Sequence, residues 1–356
     1  MTNPFTADSA PASLEATARA RELIAALRAG FASVLSGDPG DHWAVLAEAL
    51  PRAVSINGWF AEDQLREALS DWCEALAPEP VATWLELYSA DLGLCEPRTL
   101  SLVTAGNLPW VGLHDILCGV VAGHQVKIKT SREDGGLTAA TLAAWASACP
   151  GIGMQVELVD RLTDYDQVIA TGSNATRQHF ERYFAHVPHL IRGQRSGLAV
   201  LSGQETHEQL VALSSDIFRY FGLGCRSVSK IYVPRDFDLN RVFAALVGWD
   251  HLANHHRYVN NYTYHKALWL LEAVDLLENG FVLFKEDVAL ASPVATLFWE
   301  RYDDIDVLNA HLASHSDEIQ CRIGLNGLPF GTAQKPGLSD YADNVDTLAF
   351  LLRPGA

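Results

Sequence analysis

The sequence predicts an open α/β fold in two domains behind an N-terminal helical segment, on three observations. At 356 residues the chain exceeds the usual size of one domain. From Thr99 onward, short apolar strands alternate with helix-length segments, the pattern of parallel crossover units. Before Thr99, apolar residues recur at helical spacing instead.

Leu23, Leu27, Phe31 and Leu35 recur every four residues, and Leu65, Leu69, Trp72 and Leu76 step by four, three and four, so two amphipathic helices are expected. Next come TLSLVTAG, GLHDILCGVVAG, HQVKIKTS, LTAATLAAWASAC and QVELV, read as strand, helix, strand, helix, strand. QVIATGSNATRQHFERYF is a strand that ends in Thr171-Gly172-Ser173-Asn174, directly before a helix. Backbone amides there can face a phosphate, although Ser and Asn before a helix are first of all N-caps. GLAVLSG starts a further α/β portion, and the helix ETHEQLVALSSDIFRYFG leads to Cys225. SKIYVP leaves it as a strand. Helices are expected at 241–252 and 262–277, then strands GFVLFKE and PVATLFWE. A boundary is expected near Arg195 to Gly197, which divides the chain into 1–196, 197–340 and a C-terminal strand or tail, 341–356.

Acidic residues outnumber basic ones 43 to 26, and no basic cluster offers a track for a nucleic-acid backbone, so a nucleic-acid partner is not expected. With 49% hydrophobic and 19% charged residues, a folded chain is expected rather than a disordered one. The first fifteen residues lack the basic and apolar regions of a secretory signal, and no apolar run reaches membrane-span length. The six cysteines show no CxxC pairs or zinc-finger spacing. A soluble protein of the reducing cytoplasm is the expectation.

FGLGCRSVSKIYVP, residues 221–234, is the centre of interest. A thiol that attacks a carbonyl needs open space and nearby amides, and Gly222 and Gly224 permit that approach to Cys225. The plain alternative is a buried cysteine, the commonest environment of a free thiol. Cys73, Cys118 and Cys149, on apolar or helical segments, read as core. His114-Asp115 reads as a structural hydrogen-bonding pair. The pairs His255-His256 and Asn260-Asn261 lack HExxH or other tight ligand spacing, and no metal is expected. Asp340, Asp343 and Asp346 lack the glycine and closing glutamate of a calcium loop.

In chain order, AGNLPWVGLHDILCGVVAGHQVKIKTS, TGSN and GLGCRSVSKIYV resemble the aldehyde dehydrogenase superfamily. There an Asn in an N-x-P turn, a Lys at a strand end, a Gly-Ser before a helix and a nucleophilic Cys occur in this succession. DIFRYFGLGCRSVSKIYVP, HHRYVNNY, ENGFVLFKED, ALASP and PFGTAQKPGLSDYADNVDTLAFLL are similar to the acyl-CoA reductases typified by the reductase of bacterial luminescence, the LuxC family. The likeness runs from Ala105 to Leu352 and is weaker over the N-terminal helices. It implies an aldehyde-dehydrogenase-like fold, with a Rossmann-type cofactor domain and an α/β catalytic domain.

The resemblance also implies roles. Cys225 matches the nucleophile, and Asn107 the amide that binds the oxyanion. Lys129 matches the lysine that holds the adenosine ribose, and Gly172 and Ser173 match the pyrophosphate turn. The Leu328-Pro329-Phe330-Gly331 segment resembles an element near the substrate entrance, and His255, His256 and Asn260 match a segment that could line the acyl or CoA channel. NAD-preferring relatives often carry a glutamate where Arg132 stands here. A cation with Ser131 beside it suits a 2′-phosphate, so NADPH is implied, with NADH as second choice despite the neighbouring Glu133.

The stretch that matches the hydrolytic general base reads IRGQRSGLAVL and contains no carboxylate. The implied activity is reduction of an acyl-CoA or acyl-carrier-protein thioester to the fatty aldehyde through a cysteine acyl-enzyme, alongside an acyl-activating or acyl-transferring partner enzyme. A homo-oligomer formed through C-terminal strands, here DTLAFLL, is also implied. The alternatives are an acyl-phosphate reductase of the same superfamily and a non-catalytic acyl-binding subunit.

Overall fold

The computed structural model describes residues 9–172 and 174–353. These divide into two compact units: residues up to Gly193 together with those from Gly337, and the intervening Gln194–Pro336.

The first unit begins with helices α1 (Ser9–Ser36), α2 (Gly40–Ile56), α3 (Glu62–Ala75) and α4 (Pro78–Glu86). Their apolar stripes close on one another: Leu27 and Phe31 of α1, Leu46 of α2 and Leu65 and Leu69 of α3 are fully buried. Each such side chain contributes roughly 1.5–3 kcal/mol of transfer free energy. Strand β1 (Thr99–Val103), helix α5 (Leu113–Val121) and strand β2 (Gln125–Lys129) follow. Helices α6 (Leu137–Ala148) and α7 (Pro150–Gly153), strands β3 (Val156–Leu158) and β4 (Gln167–Thr171), helix α8 (Asn174–Tyr183) and strand β5 (His189–Arg192) complete this part.

The five strands form a wholly parallel sheet in the order β3-β2-β1-β4-β5. This is the Rossmann-type winding. The chain leaves β1 toward β2 on one side and returns to β4 on the other, so the switch point lies at the carboxyl ends of β1 and β4.

The second unit contains β6 (Ser196–Val200), α9 (His207–Phe218), β7 (Val228–Pro234), α10 (Asn240–Ala245) and α11 (His256–Leu271). Strands β8 (Leu276–Glu278), β9 (Leu283–Glu286) and β10 (Thr296–Tyr302), helix α12 (Ile305–Ser314) and strand β11 (Ile319–Gly324) follow. Its sheet runs β11-β6-β7-β10-β9-β8 and is parallel except for β8. The helix expected at 262–277 instead starts at His256 and stops at Leu271. Ala273, at φ 54°, breaks the helical path, and residues 276–278 pair with β9.

After Pro336 the chain rejoins the first unit. The segment expected as a C-terminal strand is a helix, α13 (Thr347–Leu352). Asp346 caps it by accepting from the Ala349 amide, while Leu348, Leu351 and Leu352 are buried, so DTLAFLL presents no strand edge. The buried Arg192 fastens this return. Its guanidinium donates to Ala342 O at 2.6 Å and to Thr347 Oγ1 at 2.8 Å, and pairs with Asp115 at 2.6 Å. Nearby, Trp84 Nε1 donates to the Tyr341 hydroxyl at 2.8 Å. His114 Nε2 lies 3.0 Å from Leu338 O, so His114 and Asp115 take structural bonds with separate partners. No described helix is long and apolar enough to cross a membrane.

Candidate functional site

Helix α9 delivers the chain to the thiol. Thr206 and Gln209 form a reciprocal capping box at its start, which satisfies two otherwise unpaired amides. At its far end the backbone turns through three successive left-handed residues, Tyr220 (φ 52°), Phe221 (φ 58°) and Gly222 (φ 73°). Only the glycine adopts this region without penalty; each of the other two costs about 1–3 kcal/mol. The turn is held by the Phe221 ring, which stacks on His255 with centroids 4.1 Å apart. His255 also caps α11, its side chain accepting from the Tyr258 amide. His255 therefore braces the turn that carries the thiol, while His256 and Asn260 are exposed on α11.

Cys225 follows between this turn and β7. All six cysteines lie among the described residues, and Cys225 alone is exposed. Cys118 is buried, and desolvation raises its pKa well above the ordinary thiol value. Burial likewise raises the thiol pKa of the half-buried Cys73 and Cys149.

The residues around Cys225 are tied down. Ser227 Oγ accepts from the Gly224 amide at 3.2 Å and from Gln334 Nε2 at 3.0 Å. Arg226 Nε donates to Ala333 O at 2.5 Å. The PFGTAQ segment, residues 329–334, thus borders the thiol turn. Its Phe330 lines a cleft of about 620 Å³ with Ser202, Glu205, Gln209, Leu325 and Leu328, and Cys225 is not among the lining residues.

In the first unit, three expected positions occupy neighbouring strand ends. Asn107 is half-buried in the loop after β1, and Lys129 is the exposed last residue of β2, paired in register with Val103. Gly172 follows β4, on the other flank of β1. Ser173 lies outside the described residues.

Ser131 caps a 3₁₀ turn at Arg132–Asp134 by accepting from the Glu133 amide, and Arg132 is exposed on that turn. This turn and the Asn107 loop touch through backbone: a Cβ on Gly106 would stand 2.3 Å from the Asp134 amide nitrogen. Only glycine permits that approach. The buried Trp110 anchors the loop, donating through Nε1 to Thr141 Oγ1 at 2.8 Å.

One residue that fixes this edge escaped the sequence reading. Asn57, at the end of α2, is buried and donates to the carbonyls of Gly106 and Glu133. No local motif marks it, because both acceptors are backbone atoms far along the chain.

Lys129, Arg132 and the Gly172 turn stand at or just beyond the carboxyl ends of β2 and β4, the two parallel strands that flank β1, which is the edge where open α/β sheets take their ligands. Among the described residues, no group of three His, Cys, Asp or Glu side chains is placed to hold a metal ion.

No protein-family model matches this sequence, and no curated protein matches it. Solved structures do match. An aldehyde dehydrogenase from Bacillus cereus, in complex with NAD+, aligns at a TM-score of 0.59 and 13% identity over 86% of this chain and 71% of that one. An aldehyde dehydrogenase from Brucella melitensis biovar abortus 2308 aligns at 0.59 and 12% identity, over 88% and 74%. An NAD-dependent benzaldehyde dehydrogenase from Corynebacterium glutamicum aligns at 0.58 and 11%, over 87% and 77%. The fold is that of the aldehyde dehydrogenases. On the aldehyde dehydrogenase fold of this chain, the Rossmann-type sheet belongs to the first unit, and Cys225 belongs to the second, at the junction of α9 and β7.

Proposed function

We propose that this protein reduces an acyl thioester, an acyl-CoA or acyl-carrier-protein conjugate, to the aldehyde with NADPH. The observation that carries the reading is Cys225: the one exposed cysteine, displayed after a strained turn on an aldehyde dehydrogenase fold. The sequence resemblance to thioester reductases selects this activity among those the fold supports.

The Cys225 thiolate attacks the thioester carbonyl, and the resemblance assigns the resulting oxyanion to the Asn107 side-chain amide and the Cys225 backbone N–H. Each such donor is worth about 3 kcal/mol in comparable sites. Collapse expels the thiol carrier as its thiolate and leaves an acyl group on Cys225. Lys129, Arg132 and Gly172 would hold the dinucleotide, with Arg132 against the 2′-phosphate. Bound NADPH supplies the hydride that takes the Cys225 thioester to the thiohemiacetal level. Loss of aldehyde then restores the thiol.

Water must stay out of this sequence. The stretch that would carry a general base has none, and the carboxylate that follows β6, Glu205, is engaged with its own turn. Its oxygens accept from the Ser202 hydroxyl at 2.7 Å and the Gly203 amide at 3.0 Å. The deciding experiment mixes the protein with NADPH and a panel of acyl-CoAs, following cofactor oxidation and aldehyde. Turnover with acyl phosphates alone, or with neither class, would replace this reading.

A further inference from the structure

The second unit contains a buried carboxylate that the chemistry above does not use. Asp216, near the end of α9, is fully buried. It accepts from the Gly331 amide at 2.7 Å and from the Ala333 amide at 2.9 Å. Burial without an ion-pair partner is unfavourable for a carboxylate, and it pushes the pKa of Asp216 up to about 6 even with both bonds and the nearby Arg226 charge opposing.

The two amides belong to the segment that grips the Cys225 turn. Ala333 donates its amide to Asp216 and receives Arg226 Nε on its carbonyl. Gln334, the next residue, bonds Ser227, which in turn accepts from the Gly224 amide. A closed circuit results. It runs from α9 through the left-handed turn to Gly224, Cys225 and Arg226, across to 333–334, and back to α9 through Asp216. The three left-handed residues leave this turn poorly determined by local preference, so the circuit supplies what the backbone alone lacks.

We propose that Asp216 is a positioning residue for Cys225: its carboxylate holds residues 331–334 in the geometry that sets the backbone on both sides of the thiol. This rests on reading Cys225 as the nucleophile, and its test reads the thiol directly rather than through turnover. Asp216→Asn keeps size but replaces one acceptor oxygen by a donor that faces an amide. Gln334→Ala cuts the other side of the circuit and leaves Asp216 intact.

Both variants of the full chain are compared with wild type by hydrogen exchange of peptides covering 219–228 and 328–336. The rate of iodoacetamide alkylation at Cys225 is read by mass spectrometry, with a thermal melt to confirm folding. The expected result for Asp216→Asn is faster exchange in both peptides and a change of about tenfold or more in alkylation rate. Gln334→Ala should give a smaller change of the same sign. Alkylation within about twofold of wild type in the folded variants, or exchange confined to 328–336, overturns the proposal. Should Asp216→Asn fail to fold, Asp216→Ser, which is smaller, uncharged and keeps one acceptor oxygen, is read by the same criteria. Dependence of Cys225 alkylation on Asp216 in a protein that reduces no acyl-CoA would uphold the positioning role and remove the functional reading.

Discussion

The side-chain amide of Asn57 donates to the carbonyl of Gly106 at 3.1 Å, and the same nitrogen donates to the carbonyl of Glu133 at 2.8 Å. One buried side chain on the helical segment thereby joins the loop that carries Asn107 to the turn that carries Arg132. The helices are therefore more than a cover for the sheet, since they fix two of the loops that follow its strands β1 and β2.

Asn57→Ala should lower stability by about 1–3 kcal/mol, because the buried Gly106 carbonyl and the partly buried Glu133 carbonyl lose their donor. Asn57→Asp, which keeps the size but places an acceptor against two acceptors, should be at least as damaging. Chemical denaturation measures both, and an Asp variant as stable as wild type would show that the bridge has no energetic weight.

Incubation with acyl-CoA in the absence of NADPH should add one acyl group per chain, at Cys225. Cys225→Ala should lose both the adduct and aldehyde formation. Peptide mass spectrometry locates the label, and an adduct on Cys118 or Cys321 would move the nucleophile elsewhere.

Arg132→Ala should weaken NADPH binding by about tenfold to a hundredfold, the worth of a charge-assisted contact to phosphate, and leave NADH nearly unchanged. Titration by protein fluorescence separates the two cofactors. Equal losses for both would transfer the selectivity argument to Lys129.

Asp216 gives stability a pH dependence of definite sign. Its folded-state pKa is raised from 3.8 to about 6, so its contribution is fully present below pH 3.8 and is lost as pH rises through about 6. At about 1.4 kcal/mol per pKa unit, the loss is on the order of 3 kcal/mol. Asp216→Asn carries no such titration, so its stability relative to wild type should improve between pH 4 and pH 7. Parallel stability curves across that range would refute the assignment.

The isolated acyl-enzyme should return its acyl group to added coenzyme A faster than it releases free acid, since the stretch 191–201 that matches the general base contains no carboxylate. Asn107→Ala should slow acylation and reduction alike, by about a hundredfold to a thousandfold. Quench-flow measurement of acid and acyl-CoA tests the first claim, and rapid acid release would reveal an unrecognised base.

The strands and the thiol turn were legible because their signals are local. Leu100, Leu102, Val126 and Ile128 make short apolar strands, and Gly222 and Gly224 bracket the thiol turn. Asn57 and Asp216 were not legible, because each bonds to backbone groups between 49 and 117 residues away. Such contacts depend on where the fold brings the chain back and leave no residue pattern. The C-terminal TLAFLL run was misread because a short apolar stretch has no decisive period. The N-cap at Asp346 was the available clue.

The return of residues 337–353 to the first unit orders events during synthesis. The helices and the five-stranded sheet emerge first, but the side chains that receive Arg192 and Trp84 arrive only after residues 194–336 have been made. At ~5–20 residues per second that interval is on the order of 10–30 s. During it the Arg192 guanidinium lacks its Thr347 and Ala342 partners, and Trp84 lacks Tyr341. The nascent chain thus presents a temporarily open seam on the first unit until residues 337–353 have been made.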